Sequence, residues 1–467
     1  EVQIRHAEDA ERRIELLHTV GGIYESRLGD GAAAFAAYSR ALKEDPASEQ
    51  TQAELERIAQ LTGEAEKLAT VYEQRVAELE DPATAAVLHM KTARIREEQV
   101  GDRAGAIEHY REVHRLDETS LDAARALERL YLAAENFEEL AATHLRKADI
   151  LEAPEERRAE LYKAAQLQQD VLDKPEAAVT VYKQVLEVDP IDLRAMDQLV
   201  TLYSGLEAWE ALLDIYARKV DVVEDVQDKK SLYFQMGAVQ EGELGKRENA
   251  IETYQRVLEL DPDDFSAVAR LDDLYVAEKR WEDLHTILER AVELTTDPEG
   301  ATRYRFRIAE LHVAHLEDAQ GAVSGFRDIL ELEPDHQLTL DALEGMVSAG
   351  NESLSAAEVL DPVYRQLGRW SQLAAVQEVK ISHEEDEIRK GELLQEVAGL
   401  YEDSLQDPRS AFGAYGRCLP LDPGNELTLS SLDRLAHQLD AWRDATALYD
   451  SAIQQLKADD DGALVDM

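Results

Sequence analysis

Between Ala250 and Leu284 the apolar positions fall at helical spacing, and short polar turns interrupt them. Ala250 and Tyr254 stand one turn apart on one helix face, so a small residue and an aromatic share that face. Asp261-Pro262 ends the segment, because proline biases the residue before it away from the α region. Asp264 can cap the next helix, which runs through Leu271 and Leu274. A short link then reaches Trp281, which opens another helix. The same pattern returns along the chain. Ala34, Ala106, Ala178, Ala250 and Ala322 are each 72 residues apart, and Ala411 follows after 89. Tyr38, Tyr110, Tyr182, Tyr254, Phe326 and Tyr415 keep this spacing, as do Pro46, Glu118, Pro190, Pro262, Pro334 and Pro423.

Further columns complete the block. A capping column reads Ser48, Ser120, Asp192, Asp264, His336 and Asn425, with His336 the poor cap. Glu118 replaces the proline, so its turn is less well specified. Leu55, Leu127, Leu199, Leu271, Leu343 and Leu432 form an apolar column. Ala65, Phe137, Trp209, Trp281, Trp370 and Trp442 form another, which holds all 4 tryptophans and reads as core. Upstream, Gly21, Ala93, Ala165, Gly237, Ala309 and Ala398 are small and mark a preceding helix. One block therefore holds four helices, in two helix-turn-helix units of about 36 residues each.

The spacing Ala-x3-Tyr/Phe-x7-Pro, as in Ala250, Tyr254 and Pro262, resembles the second helix of the tetratricopeptide repeat family. Gly237 matches that family's small first-helix residue, although the step from 237 to 250 is 13, one longer than the usual pattern. The tryptophan half-repeats depart further, with Leu284 where a small residue is expected. The resemblance covers about residues 10–457, and the texture is also similar to long bacterial repeat proteins. It implies an all-α, right-handed superhelical solenoid with a concave binding surface. Ala106, Tyr110, Ala178, Tyr182, Trp209, Ala250, Tyr254, Trp281, Trp370 and Trp442 are its expected structural core.

The register breaks once. Leu343 to Leu432 and Trp281 to Trp370 both measure 89, so 17 extra residues lie between 343 and 370. Asn351 or Ser353 reads as a cap, and Asp361-Pro362 as a restart or kink. Leu360, Val363, Tyr364 and Leu367 form an apolar stripe, which favours an inserted packed helix acting as a joint. The expected organisation is a solenoid over 1–342, the break over 343–370, a solenoid over 371–457 and an acidic tail over 458–467.

Charge narrows the function. Against 50 Lys and Arg stand 98 Asp and Glu, a net charge of −48. That disfavours nucleic acid, which needs a basic stripe, and it disfavours an anionic membrane surface. A basic protein or peptide partner or divalent counter-ions would suit it, and so would a plain acidic surface that resists self-association. No apolar run approaches a membrane span. The chain opens on Glu1 without a signal peptide's apolar region, which points to the cytoplasm, or to a piece of a longer array.

Candidate chemistry is sparse. The single cysteine, Cys418, falls in a column with Ala41, Val113, Val185, Val257 and Ile329, and reads as small core. His312, His315 and Glu310 cluster, but a zinc site needs three or four convergent ligands. His109 and His114 diverge on their helix. Glycine-rich phosphate loops and a Gly-x-Ser-x-Gly elbow are absent, and the Asp-rich turns lack calcium-loop spacing. Neither a cofactor, a metal nor catalysis is expected. The candidate binding stripe is Met90, Tyr162, Phe234 and Phe306, on first helices. Either it grips a partner segment or it is inter-helix core. Lys91, Arg94, Lys163, Arg305 and Arg307 are too scattered for a carboxylate clamp. The reading is a non-enzymatic scaffold, with a segment of a multi-chain assembly, or a regulatory arm of an enzyme outside this chain, as alternatives.

Overall fold

The computed structural model describes residues 2–458, and the expected tail beyond 458 lies outside the described residues. The described residues are helical throughout, with no strand. They form two compact units that divide between Leu232 and Tyr233. The first holds α1 (Val2–His6), α2 (Ala10–Ile23), α3 (Gly31–Glu44), α4 (Glu49–Thr62), α5 (Ala65–Val76), α6 (Pro82–Ile95), α7 (Arg103–Leu116), α8 (Leu121–Ala133), α9 (Phe137–Ile150), α10 (Pro154–Gln166), α11 (Pro175–Val188), α12 (Leu193–Gly205) and α13 (Trp209–Val222). The division falls within α14 (Val226–Ala238). The second unit continues with α15 (Arg247–Leu260), α16 (Phe265–Glu278), α17 (Trp281–Leu294), α18 (Pro298–Ala314), α19 (Ala319–Leu332), α20 (Gln337–Ala349), α21 (Ser353–Leu367), α22 (Trp370–His383), α23 (Glu387–Gly399), α24 (Pro408–Cys418), α25 (Glu426–Leu439) and α26 (Trp442–Ala458). Each helix from α1 to α13, and each from α15 to α26, packs on the next, the neighbour-on-neighbour build of a helical-repeat solenoid.

The columns explain the packing. The small first-helix residues Gly21 and Gly237 lie beneath the second-helix aromatics Tyr38 and Tyr254. A Cβ on Gly237 would stand 2.5 Å from the Tyr254 ring, so the two helices meet there almost backbone to ring. Ala106, Tyr110, Ala178, Tyr182, Ala250 and Tyr254 are all buried, as are the column leucines Leu127, Leu199 and Leu271. The extra residue between small and aromatic columns is absorbed by a π-helical turn after the first helix. These turns span Tyr24–Leu28, Arg96–Val100, Leu167–Val171, Val239–Glu243 and Leu400–Ser404. After α18 a single wide bond does the same work, Leu316 N–H donating to the Leu311 carbonyl at 3.2 Å.

Several details differ from the expectation. His336 does cap, accepting the Thr339 N–H at 3.4 Å through Nδ1, whereas Ser120 makes no side-chain cap. The turn at Glu118 closes without proline: Ser120 N–H donates to Asp117 O at 3.2 Å, as Asp192 N–H donates to Asp189 O at 3.2 Å. The tryptophan column is not core. Trp209 and Trp281 are half-buried, and Trp370 and Trp442 are 37% and 48% exposed. The cause is position: each opens its helix, so its ring covers a rim instead of entering the centre. Trp281, for example, stacks flat on His315, with centroids 3.8 Å apart. Residues two before this column hold left-handed backbone in every block: Gly63, Glu135, Glu207, Lys279, Gly368 and Asp440.

In the stretch after α20, α21 packs against both α20 and α22. It runs through Asp361 and Pro362 without restarting. Neither Asn351 nor Ser353 caps it by a side chain; the N-cap is Glu352, with φ 45°. Asp361 is buried and binds Arg365 at 2.7 Å, Gln377 at 2.7 Å and Lys380 at 2.5 Å. That web ties α21 to α22.

Candidate functional site

The first helices carry the candidate stripe, and each member is partly spent on packing. In the first unit, Tyr162 on α10 is buried edge-on to Tyr182, with centroids 5.9 Å apart. Its hydroxyl donates to Asp192 Oδ1 at 2.7 Å, and the Arg194 guanidinium lies 4.6 Å above its ring. Met90 on α6 is half-buried against the cluster that holds Tyr110. In the second unit, Phe234 leans on Tyr254 at 5.6 Å and Phe306 on Phe326 at 5.7 Å. All four therefore give part of their surface to packing inside their own unit. They are the first-helix half of the inter-helix contact, with part of each surface left over.

In the first unit that surplus surface lines two equivalent clefts. One, of about 710 Å³, lies over Met90 and runs from Asp81 and Val87 to Arg94, Asp117 and Ser120. The other, of about 590 Å³, lies over Tyr162 and runs from Glu155 and Arg158 to Asp189 and Arg194. Met90 and Tyr162 are one 72-residue step apart, as are Asp117 and Asp189, and Ser120 and Asp192. Each cleft opens between a first helix and the turn that leads to the next first helix. Most first-helix bases are already paired: Lys91 with Glu56 at 2.6 Å, Lys163 with Glu160 at 2.9 Å, Arg307 with Asp272 at 2.6 Å.

Histidine and cysteine chemistry resolves in particulars. His312 pairs with Asp318 at 3.0 Å while His315 stacks on Trp281, so the two do not converge. Cys418 is buried, and burial pushes its thiol up to about 12, against a smaller opposing pull from Arg417. Such a thiol is a core residue, not a nucleophile.

Sequence reasoning missed a buried polar web on α8, α9 and α10. Glu128, His144 and Glu160 bring ligand atoms within 4.8 Å of one another, a spacing that could hold a metal. The web already contains its own cation. Lys147 Nζ lies 2.6 Å from Glu128 and 2.9 Å from Glu160, and Lys163 adds a contact to Glu160 at 2.9 Å. His144 Nδ1 completes the web at 2.6 Å from Glu160. Burial alone would raise the Glu160 carboxyl; contacts from Lys163, Lys147 and His144 overcome that and hold it down at about 2. A divalent ion would have to evict an ammonium. The signal was present in the columns: Glu160 stands where Leu88 and Leu232 stand one step either side.

Among the described residues no helix is long and apolar enough to cross a membrane. Residues 231–264, from α14 to the cap of α16, match the tetratricopeptide repeat family. No curated protein matches the chain at a significant level. Three solved structures share its helical character. Naa15/Naa10 bound to HypK-THB is 15% identical, with 95% of this chain aligned to 64% of that one and a TM-score of 0.29. A tetratricopeptide repeat protein from Parabacteroides merdae is 14% identical over 56% of this chain and 98% of its own, with a TM-score of 0.24. YrrB, a repeat protein with an unusual peptide-binding site, is 17% identical over 43% of this chain and 97% of its own, with a TM-score of 0.22. Likeness at this level carries nothing over to the function of this chain. What carries the family is the matched repeat together with the same helix pair recurring at 72-residue steps on either side of it. The chain carries a tetratricopeptide repeat at residues 231–264, within an all-α array of helix pairs that recur at the same step.

Proposed function

We propose that this scaffold holds a basic, extended segment of a partner protein in the first-helix clefts over Met90 and Tyr162. The recurrence of one cleft at a 72-residue step carries the reading. A partner with apolar anchors at matching intervals would engage both, and each anchor would rest on a large side chain that packing leaves partly uncovered. The net charge of −48 supports basic flanks on the segment: an acidic field speeds capture of a basic chain and is screened by salt. Phe234 and Phe306 would extend the same use in the second unit.

Selection of peptides from a random display library tests this. The expected winners carry an apolar anchor flanked by Lys or Arg, and their binding weakens at least tenfold between low and high salt. Val87 lines the Met90 cleft at 48% exposure, so Val87→Arg keeps the fold while opposing a cationic ligand. It should weaken binding severalfold. Acidic winners, or binding indifferent to Val87→Arg, would overturn the proposal. A chain that selects no peptide and self-associates instead would favour the structural-assembly alternative.

A further inference from the structure

Two facing positions in the first unit carry histidine where sister repeats carry apolar residues. At the position of His89 on α6 stand Leu17 and Leu161 one step either side, and Leu394 in the last block. At the position of His109 on α7 stand Ala37, Val181 and Ala414. All six of these residues are buried. The corresponding pairs in the other two blocks are Tyr233 with Thr253 and Arg305 with Gly325, so no other block sets two imidazoles face to face. The helix pair closes well on leucine and a small residue. Packing therefore does not ask for two imidazoles here.

The two rings meet. Nδ1 of His89 lies 2.9 Å from Nδ1 of His109, with ring centroids 5.2 Å apart and planes tilted by 41°. The far nitrogen of His109, Nε2, lies 3.1 Å from Glu73 Oε1 on α5. Arg96 holds the same carboxylate oxygen at 2.6 Å through Nε. An Arg-bound carboxylate accepts, so His109 donates its Nε2–H to Glu73 and is left with a bare Nδ1. His89 then donates its Nδ1–H to that bare nitrogen. One proton thus sits between two Nδ1 atoms, and a carboxylate fixes one ring from behind.

We propose that His89 and His109 form a transition-metal site that takes a Cu(II)- or Ni(II)-class ion through their two Nδ1 atoms. Glu73 acts as the outer carboxylate that fixes the His109 tautomer. Imidazole nitrogens bound at about 2.0 Å stand about 2.8 Å apart at a right angle and about 3.3 Å apart at the tetrahedral angle. The separation of 2.9 Å matches the first, the angle that tetragonal ions prefer. Both rings must turn from facing each other to facing a common point. The His89 proton moves from Nδ1 to Nε2 as the ion enters, so no net proton is released at this pair. The carboxylate–histidine arrangement is the usual support for a metal-bound imidazole. Glu112, one turn along α7 from His109, adds negative charge near His89, and it is paired with Arg115 at 2.7 Å. Among the described residues no lysine ammonium pairs with either ring, in contrast to the Glu128–His144–Glu160 web; the cation acting on His89 is Arg115, which Glu112 holds.

Titration of the tag-free chain with Ni(II) alone, followed by calorimetry, tests the site. The comparison is His89→Leu/His109→Val, which installs the residues that the next repeat carries at Leu161 and Val181. That variant should melt at or above the parent temperature and lose one bound equivalent; His89→Leu alone should lose the same equivalent. Glu73→Gln should weaken that equivalent about 10–100-fold without removing it. Electron paramagnetic resonance of one Cu(II) equivalent should show coupling to two imidazole nitrogens in the parent and not in the double variant. Equal stoichiometry and affinity in the parent and double variant would overturn the proposal.

Discussion

Helices α6 to α9 and α10 to α13 are successive repeats in one unit, and they differ in almost every position that punctuates a turn. The later repeat has Pro190, and Asp192 accepting the Ala195 N–H at 3.0 Å. The earlier one has Glu118 and an uncapped Ser120. The later repeat buries Leu161, Val181 and Leu186 where the earlier one places His89, His109 and His114. Yet α7, α8 and α9 begin and end 72 residues before α11, α12 and α13, residue for residue. The backbone is therefore not held by caps and prolines, each of which is worth about 1 kcal/mol. It is held by the buried core positions the two repeats share: Ala93, Tyr110 and Leu127 in the earlier, Ala165, Tyr182 and Leu199 in the later. Where these contacts suffice, other positions are free to carry polar groups.

Four perturbations sharpen that contrast. The largest effect belongs to the shared contact. Tyr110→Ala and Tyr182→Ala should each cost about 3–5 kcal/mol in urea unfolding, and equally so; a markedly smaller loss at Tyr110 would mean the earlier repeat is held by something else. Next comes the polar web. Glu160→Gln leaves Lys147 short of charge and should cost about 1–3 kcal/mol, whereas Glu160→Leu, which restores the column residue, should cost less. The same carboxyl sets an acid limit. Its folded value of about 2 lies below its unfolded value, so its contribution is complete above about pH 4.3 and fades as pH falls toward 2. Glu160→Leu should flatten the pH–stability curve over that window. Smaller still, Glu118→Pro should change stability by less than about 1 kcal/mol, in the stabilising direction, because the turn already closes. Smallest, Glu135→Gly and Glu207→Gly should each stabilise by a few tenths to about 1 kcal/mol, since both hold left-handed backbone at φ 52° and 53°. Unequal thermal shifts for this last pair would show that the two links differ after all.

Most of the fold was legible because a repeat is read many times over. The small, aromatic, proline and leucine columns each recur, so one degenerate block does not hide the pattern. The tryptophans were misread because recurrence reports a fixed position, not burial; the first residue of a helix is fixed by the turn before it and still faces the rim. The left-handed links went unseen for a related reason: glycine marks them at Gly63 and Gly368, but Glu, Lys or Asp fills the other four. The candidate sites were the least legible. Glu160 and His144, or His89 and His109, are far apart in sequence, and only the packing of neighbouring helices makes them partners. The clue available beforehand was a polar residue in an apolar column, and it becomes informative when two such departures face each other.

Hydrogen exchange with and without a library-selected peptide maps the proposed docking face. The peptide should slow exchange on the first helices α6 and α10 and in the turns at Asp117 and Asp189, leaving α7 and α11 unchanged. Protection confined to α7, α11 or the second unit would contradict it.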